Sequence, residues 1–531
     1  MYRKILPALT LLLLSISGGL RLAGSTDDVV INGLNADNVF RLRAFSDTFE
    51  GQLDPIQPDA FIFLSEQLFD GLVTLDNSMN PKAALAEYWD KSHDGRVYRF
   101  YLRKNVRFHH GVEMTSEDVK YSLERILDPE TESPYASFFV DKVVGAREYH
   151  AGLTNEVYGF KVVGKHTIEI HWTKPYSMAL YLMSMHFCKI VPRERVQDQG
   201  RGFFQKPSGT GAFRFDSWLR DNRLNIVGIR LQRSRNYYAG ASALEFVEFC
   251  PHYNLDHFVK GEIEAIPVIH EKLLESDYKI FADGSIYPFY LGMSCHLAPL
   301  DDKMVRIAIS LAINKSQIVR IIHEAQYLRQ LSSSFIPARL PGFFLTDDRS
   351  TYEPIQSEEL LKAAGYPSEH PLPELTLFLE YPRTPFKHKF YQELRRQLQD
   401  IHVKLKVDYY RNRERIEEYA KPYLILHGHL LNFPGPEDVI RPMFYSQSPE
   451  NLCRYQNPEL DRLLLEAETE PSWSRRVKLF KKIETILRIE MPAIPLYSQQ
   501  NRIAMQPYVQ GIQIPPLGLN YLKIKNLRLT K

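Results

Sequence analysis

The chain has 531 residues, of which 44% are hydrophobic and 24% charged. That composition describes a soluble globular protein too long for one ordinary core, so two or three domains are expected. A net charge of +2 leaves no electrostatic reason to invoke nucleic acid. Cys188, Cys250, Cys295 and Cys453 are widely spaced without a CxxC pair, which excludes a thiolate zinc site and leaves disulfide pairing open.

Arg3 and Lys4 precede the apolar run Leu9 to Leu14 and the small residues Ser15, Ser17, Gly18 and Gly19. This is the layout of a secretory signal peptide, and the run is short for a membrane span. Cleavage after Gly19 or after Gly24 fits; the alternative is an uncleaved anchor. The first strand of the mature chain is expected at Val29-Val30-Ile31.

The stretch from Leu68 to Pro129 is the most informative. It opens with Leu68-Phe69-Asp70-Gly71-Leu72-Val73 and continues through Ala86-Glu87-Tyr88-Trp89. Asp94-Gly95 is a turn signal. After it Tyr98, Phe100 and Leu102 alternate with Arg99, Tyr101 and Arg103, the pattern of a half-buried strand. Val106-Arg107-Phe108-His109-His110-Gly111 ends in a second turn. Thr115 with Asp118 reads as a capping box, followed by Val119, Leu123 and Ile126 at helical spacing and an Asp128-Pro129 stop.

Further along, Thr167 to Trp172 alternates like a strand, and Pro175-Tyr176 precedes a helix-like stretch to Met185. Gly209-Thr210-Gly211-Ala212-Phe213 fits a tight backbone turn. No Gly-Lys-Ser/Thr follows it, so it is not read as a phosphate cradle. Asn236-Tyr237-Tyr238, Gly261-Glu262-Ile263-Glu264-Ala265 and Tyr290-Leu291-Gly292-Met293 follow. Asp301-Asp302 caps a helix with Val305, Ile309 and Ala312 on one face. Then come Ala312-Ile313-Asn314-Lys315, Pro341-Gly342 and Ala363-Ala364-Gly365-Tyr366-Pro367. A strand is expected at Leu375 to Leu379, a helix at Phe390 to Ile401, and a strand at Leu405-Lys406-Val407. Asn457-Pro458-Glu459-Leu460-Asp461 starts a helix, and Pro492-Ala493-Ile494-Pro495-Leu496-Tyr497 closes the series.

In this order the motifs resemble those of the family 5 extracellular solute-binding proteins, the oligopeptide-, dipeptide- and nickel-binding receptors of ATP-driven importers. Each motif is weak alone; their collinear order over nearly the whole mature chain is specific. The resemblance implies an α/β, two-lobed periplasmic binding protein fold (type II, cluster C-like) with an extra subdomain. It divides the chain into a signal peptide at 1–24, lobe I at 25–66, 188–277 and 496–531, lobe II (the extra subdomain) at 67–187, and lobe III at 278–495. With no cysteine directly after the signal there is no lipoprotein attachment site, and the expected location is the periplasm.

The resemblance also implies a ligand cleft between lobes I and III. Peptide-binding members hold the ligand backbone as an added strand, and an Asp in a Gly-Trp-x-x-Asp-Tyr segment grips its ammonium. The matching stretch here is Gly428-His429-Leu430-Leu431-Asn432-Phe433. Gly428 is kept and allows close backbone approach, but His429 replaces the Trp and Asn432 replaces the Asp. Losing one partner of a buried ion pair costs about 3–5 kcal/mol, roughly a few hundred-fold in affinity. Either the solute lacks a free α-amine or another acid supplies the charge, with Glu437 and Asp438 the nearest; the alternative is that both are solvated loop charges. Tyr410 stands where members place a cleft aromatic; the alternative is core packing. Arg383 and His388 would meet a ligand carboxylate, the alternative being surface loop charges, and Ser294 would be a polar cleft contact. The site therefore comprises Gly428, His429, Leu430, Asn432, Tyr410, Glu437, Asp438, Arg383, His388 and Ser294.

The expected function is capture of a peptide or peptide-like solute and its delivery, chemically unchanged, to an inner-membrane permease with cytoplasmic ATPase subunits. The protein is expected to be a monomer, not an enzyme, and without a cofactor. His427 and His429 share a strand face, so a metal chelate such as nickel or haem is an alternative ligand. No HExxH, GxSxG or phosphate loop is present. The rival classes are a periplasmic hydrolase and a sensor or interaction protein on the same fold.

Overall fold

The structure, a computed structural model, describes residues 38–43, 53–57, 62–268, 270–283, 287–324, 327–338, 340, 352–431, 433–515 and 517–530. The expected signal peptide, the strand at Val29-Val30-Ile31, Pro341-Gly342 and Asn432 lie outside the described residues. The chain forms two compact units, Met1–Gly284 with Asn501–Lys531, and Ser285–Gln500.

Unit 1 contains two main sheets and a short hairpin of β2 (Val73–Leu75) and β3 (Pro81–Ala83). In the first, β1 (Val39–Arg43) lies parallel to β10 (Phe246–Cys250) and to β11 (Ala265–Pro267). β9 (Ile226–Arg233) and β8 (Phe213–Arg220) extend it as an antiparallel pair. Helix α1 (Ile62–Leu68) adds Leu64 and Leu68 to a core with Phe40, Leu42, Phe213, Ile229 and Phe249.

The second sheet holds the informative stretch identified above. β4 (Ala86–Lys91), β5 (Val97–Leu102), β7 (Thr167–His171) and β6 (Phe160–Gly164) form an antiparallel order 4-5-7-6. In β5 the expected inward set, Tyr98, Phe100 and Leu102, is buried. Helix α2 (Ser116–Leu127) follows Thr115, whose amide donates to the Asp118 carboxylate at 2.8 Å. Val119, Leu123 and Ile126 are its buried stripe, and Asp128-Pro129 ends it where the imino acid removes a donor. The alternation expected in β7 breaks at Glu169. That residue is buried with its neighbours Ile168 and Ile170, because Arg99 Nε and His171 Nε2 both reach its carboxylate, each at 2.8 Å. The helix expected up to Met185 is a single turn, Ala179–Leu182, without a side-chain cap, and Met185 is already extended.

Unit 2 is built on one mixed sheet. β15 (Leu375–Glu380) runs parallel to β16 (Leu405–Tyr410) on one side and to β17 (Tyr423–Gly428) on the other. β13 (Tyr287–Met293) pairs antiparallel with β17 and with the first part of β18 (Ala493–Met505). Beyond Asn501, β18 belongs to unit 1, where it pairs antiparallel with β11 and with β12 (Lys279–Ala282). Helix α3 (Lys303–Leu311) is capped by Asp302, which accepts the Met304 amide at 2.8 Å. Helix α4 (Pro385–Gln399) covers the sheet with Phe390, Leu394 and Leu398. These join Leu291, Val305, Ile309, Leu377, Leu379, Leu424 and Ile494 in the unit's core. The unit also holds β14 (Tyr327–Leu331), which pairs with β18, and helices α5 (Pro436–Phe444), α6 (Pro458–Thr469) and α7 (Trp473–Glu490) among others. No described helix is long and apolar enough to cross a membrane.

Candidate functional site

Strand β17 reads Tyr-Leu-Ile-Leu-His-Gly, and its apolar residues, Tyr423 to Leu426, are all buried. A continuous apolar run of this kind suits a central strand covered on both faces. Polarity enters only at its carboxyl end, with His427 and Gly428. The carboxyl ends of the parallel strands β15 and β16, at Glu380 and Tyr410, lie on the same side of the sheet. In open α/β sheets this is the edge outside which ligands bind.

Gly428 is required by its neighbours. A Cβ there would stand 2.8 Å from Phe289 Cε1 and 2.9 Å from Tyr287 Cε2. The close approach read from the sequence is therefore made by two rings of β13, whose centroids are 4.6 Å apart. The next amide, that of His429, donates to the Pro288 carbonyl at 3.1 Å. Leu430 follows, half-buried.

Helix α5 begins at Pro436 after Gly435, which places Glu437 and Asp438 in its first turn. Free helical amides favour carboxylates there. The two acids are both buried but have different partners. Glu437 is held by Arg476 of α7, itself only 3% exposed, which also donates from Nε to the Ala467 carbonyl at 3.0 Å. Asp438 accepts the Phe433 amide at 3.2 Å, and its Oδ2 lies 3.8 Å from His429 Nε2. That separation is an ion-pair contact rather than a hydrogen bond.

The two histidines respond oppositely to their surroundings. Burial, aided by Arg413 and by His429, pushes His427 down to about 3, so its ring is neutral. Burial also disfavours charge on His429, but the Asp438 carboxylate outweighs it and raises the ring above its ordinary 6.5, with Glu450 adding to the rise. Arg413 in turn lies 3.8 Å from Glu450. Among the described residues no group of three His, Cys, Asp or Glu side chains is placed to hold a metal. The arrangement at His429 is that of an acid–base pair.

Residues 80–451 match the profile of the bacterial extracellular solute-binding proteins, family 5 Middle. The chain belongs to this family. This solute-binding protein is 24% identical over 498 residues to the periplasmic oligopeptide-binding protein OppA of Salmonella typhimurium, covering 88% of each chain. It is 25% identical over 474 residues to the periplasmic murein peptide-binding protein MppA of Escherichia coli, covering 84% of this chain and 85% of the relative. Among solved structures, the unliganded open form of the murein tripeptide-binding protein MppA superposes with a TM-score of 0.79 at 22% identity. It covers 94% of this chain and 98% of that one. The fold is accordingly that of the two-lobed periplasmic binding proteins.

The other residues singled out in this family 5 protein fall into separate places. Tyr410 is 6% exposed and packs edge-on to Phe378 in a small cluster with Ile416, Tyr423, Ile425 and Leu452. Arg383 is exposed and lies 4.7 Å from the Tyr409 ring centroid and 5.8 Å from that of Tyr381. His388 is exposed on α4. Ser294 is fully buried, and its hydroxyl accepts the Tyr423 amide at 3.0 Å. It thus stands at the amino end of β17, roughly 15 Å of strand from Gly428, apart from the rest.

Sequence reasoning missed Tyr287, Phe289, Glu380, Arg413 and Arg476. Burial raises the Glu380 carboxyl above its ordinary range, although Lys387 and Arg413 oppose the shift. The aromatic residues two apart in β13 and the lone acid ending an apolar strand were visible signals. Arg476 was not, because its partner is 39 residues away.

Proposed function

We propose that this protein is a periplasmic receptor that captures a peptide or peptide-like solute and hands it, chemically unchanged, to an ATP-driven import permease. The observation that carries this reading is the carboxyl edge of the unit 2 sheet. There backbone, aromatic rings and paired charges gather beside Gly428, His429 and Leu430, at the end of a strand that is otherwise wholly apolar. An extended ligand suits such an edge, since main-chain bonding gives affinity and side-chain contacts give selectivity. The relatives named above as binders of oligopeptides and murein peptides support the same class of solute.

In this reading residues 1–24 direct export, the mature protein is a soluble monomer, and 67–187 serves as the extra lobe. Arg383, His388, Tyr410 and Asn432 are taken as further solute contacts in the same reading.

The test is native mass spectrometry of the exported protein, followed by thermal-shift screening with peptide pools. Small peptides are expected to co-purify and to raise the melting temperature, and to be recovered intact. Chemically altered peptide, or no response to any peptide pool, would overturn the proposal. Sequencing the amino terminus of the exported chain tests the signal segment; an intact Met1 would count against it.

A further inference from the structure

Unit 1 holds a cavity of about 230 Å³ between Glu66 of α1, Thr74 to Asn77 at the β2–β3 hairpin, Ser184 and the C-terminal segment around Tyr521 and Lys523. The receptor activity proposed above makes no use of it. A cavity of about 150 Å³ holds benzene, so this one admits roughly nine non-hydrogen atoms. That is the size of a free amino acid or hydroxy acid, and too small for a tripeptide.

The hydrogen-bond count in its wall is unbalanced. Lys523 Nζ donates to the Thr74 hydroxyl oxygen at 2.6 Å, and both side chains line the cavity. Among the described residues Lys523 has no carboxylate within ion-pair distance, and the Thr74 hydroxyl proton has no acceptor. An ammonium carries three donors and a hydroxyl one. Donors are therefore left over on two neighbouring atoms, close enough to serve both oxygens of a single carboxylate.

The charges behind this pair act in the same direction. Asp70 faces Lys523, Lys189 and Lys525, with Glu66 as the other acid, so three lysines stand against two carboxylates. Burial raises the Asp70 carboxyl, and burial together with Lys523 lowers Lys525. The cluster is short of negative charge.

The acids that line the cavity do not make up the shortfall. Asp76 is occupied by its own turn: it accepts the Ser78 amide at 2.8 Å and the Asn80 amide at 2.9 Å, and lies 3.7 Å from Lys82 Nζ. Glu66, its side chain 4% exposed, lies 2.7 Å from Lys189 Nζ. That contact is an ion pair without hydrogen-bond geometry at Oε1, so the carboxylate keeps room for a ligand N–H or O–H.

We propose that this cavity is a second ligand site, for a small monocarboxylate of amino-acid or hydroxy-acid size. The ligand carboxylate takes the Lys523 ammonium and the Thr74 hydroxyl, and its own amine or hydroxyl turns to Glu66. The site does not rest on the peptide reading, because its residues lie in unit 1 and those beside Gly428 in unit 2.

The test uses the exported, full-length mature protein in equilibrium dialysis read by mass spectrometry. The probes are an equimolar pool of L-serine, L-threonine and L-lactate, and the pool of the corresponding primary amides. The acids are expected to bind, and the amides to bind about tenfold or more weakly for want of the charge-assisted contact. Thr74→Val, which keeps the side chain's shape, and Lys523→Gln should each weaken the acid pool about tenfold. A saturating randomised tripeptide pool should not displace the acids. Should the variants fail to fold, acetylation of the unsubstituted protein decides. The acid pool at about twice its Kd should slow modification of Lys523 about threefold and leave the exposed Lys104 unaffected. No binding of the acid pool, equal affinity for acids and amides, displacement by tripeptides, or no protection of Lys523 overturns the second site and leaves the receptor reading intact. Binding of the acids at Lys523 with no response to tripeptides supports the second site and overturns the receptor reading alone.

Discussion

His109 Nε2 donates to the carbonyl oxygen of Gly211 at 2.9 Å. On its other side Nδ1 accepts the Gly209 amide at 3.2 Å, and the His109 amide donates to the Gly209 carbonyl at 2.8 Å. The ring is therefore neutral and in one tautomer. Burial pushes it down to about 4 from 6.5, with the Gly211 bond opposing the shift and Arg214 adding to it. In the unfolded chain the same ring charges at its ordinary value. Stability should be full above 6.5, fall as pH drops towards about 4, and level off below, where both states are protonated. The loss attributable to this ring is about 3 kcal/mol. His186 and His427, each pushed down to about 3, act in the same direction, so the check is a difference. Urea unfolding of His109→Gln should be about 1–2 kcal/mol less stable at neutral pH and show a shallower decline on acidification. Parallel pH profiles for the two proteins would refute the assignment.

The glycines held by that ring are fixed by steric contact from elsewhere in the chain. A Cβ at Gly209 would stand 2.0 Å from the Leu68 carbonyl oxygen, and one at Gly211 would stand 2.3 Å from the Gln67 carbonyl oxygen. Both obstacles are backbone at the end of α1, so no side chain can swing aside. Alanine at either position is expected to cost about 3 kcal/mol, the upper end of ordinary overpacking. Gly202 offers the contrast: nothing lies within 4 Å of its built Cβ. Gly202→Ala should leave the midpoint of thermal unfolding unchanged. Equal behaviour of the three variants would remove the contact argument.

These contacts show where the sequence was legible and where it was not. Periodicity and capping act within a few residues, so the buried set Tyr98, Phe100 and Leu102, the Thr115–Asp118 contact and the Asp302 cap could all be read directly. Glu437 and Asp438 could be nominated together, as the acids nearest downstream of Gly428, and both prove buried. The difference between them could not be read. Adjacent helical residues point about 100° apart, so one acid meets Arg476 and the other His429, and only the packing of α7 decides which. Glu169 hid for the same reason, since its burial depends on Arg99 from another strand. The close approach at Gly428 was legible, but the groups that make it, Tyr287 and Phe289 from another strand, were not.

All four cysteines are free thiols. Cys188 Sγ donates to the Leu182 carbonyl and Cys250 Sγ to the Val227 carbonyl, each at 3.2 Å. Burial pushes Cys250 up to about 11 and Cys295 up to about 12, and raises Cys188 and Cys453 further. Thiolate is the reactive form, so the folded protein should resist iodoacetamide near about pH 8, where an exposed thiol reacts readily. After denaturation without reductant, mass spectrometry should find every cysteine alkylated. Rapid labelling of the folded protein, or a cysteine pair that labels only after reduction, would contradict the structure.

Glu437 and Asp438 are neighbours in sequence, yet they should separate cleanly in experiment. Glu437 is bound by the buried Arg476 guanidinium, so removing its carboxylate takes away an opposite charge beside a group that cannot be neutralised. Breaking a buried pair from one side costs about 3–5 kcal/mol, and Glu437→Ala should lose that much in denaturant unfolding. The double variant Glu437→Leu with Arg476→Met replaces both charges by apolar groups of similar size and should recover most of the loss. In each case the fraction that remains folded should keep its affinity for peptide, because this acid faces α7. Asp438→Asn should behave in the opposite way. It keeps an acceptor for the Phe433 amide, so stability should change by about 1 kcal/mol, but His429 loses the charge that favours its protonation. The expected signature is a changed pH dependence of unfolding in Asp438→Asn, through His429, and an unchanged one in the Glu437 variants. Loss of peptide affinity in a stably folded Glu437→Ala would exchange the roles of the two acids.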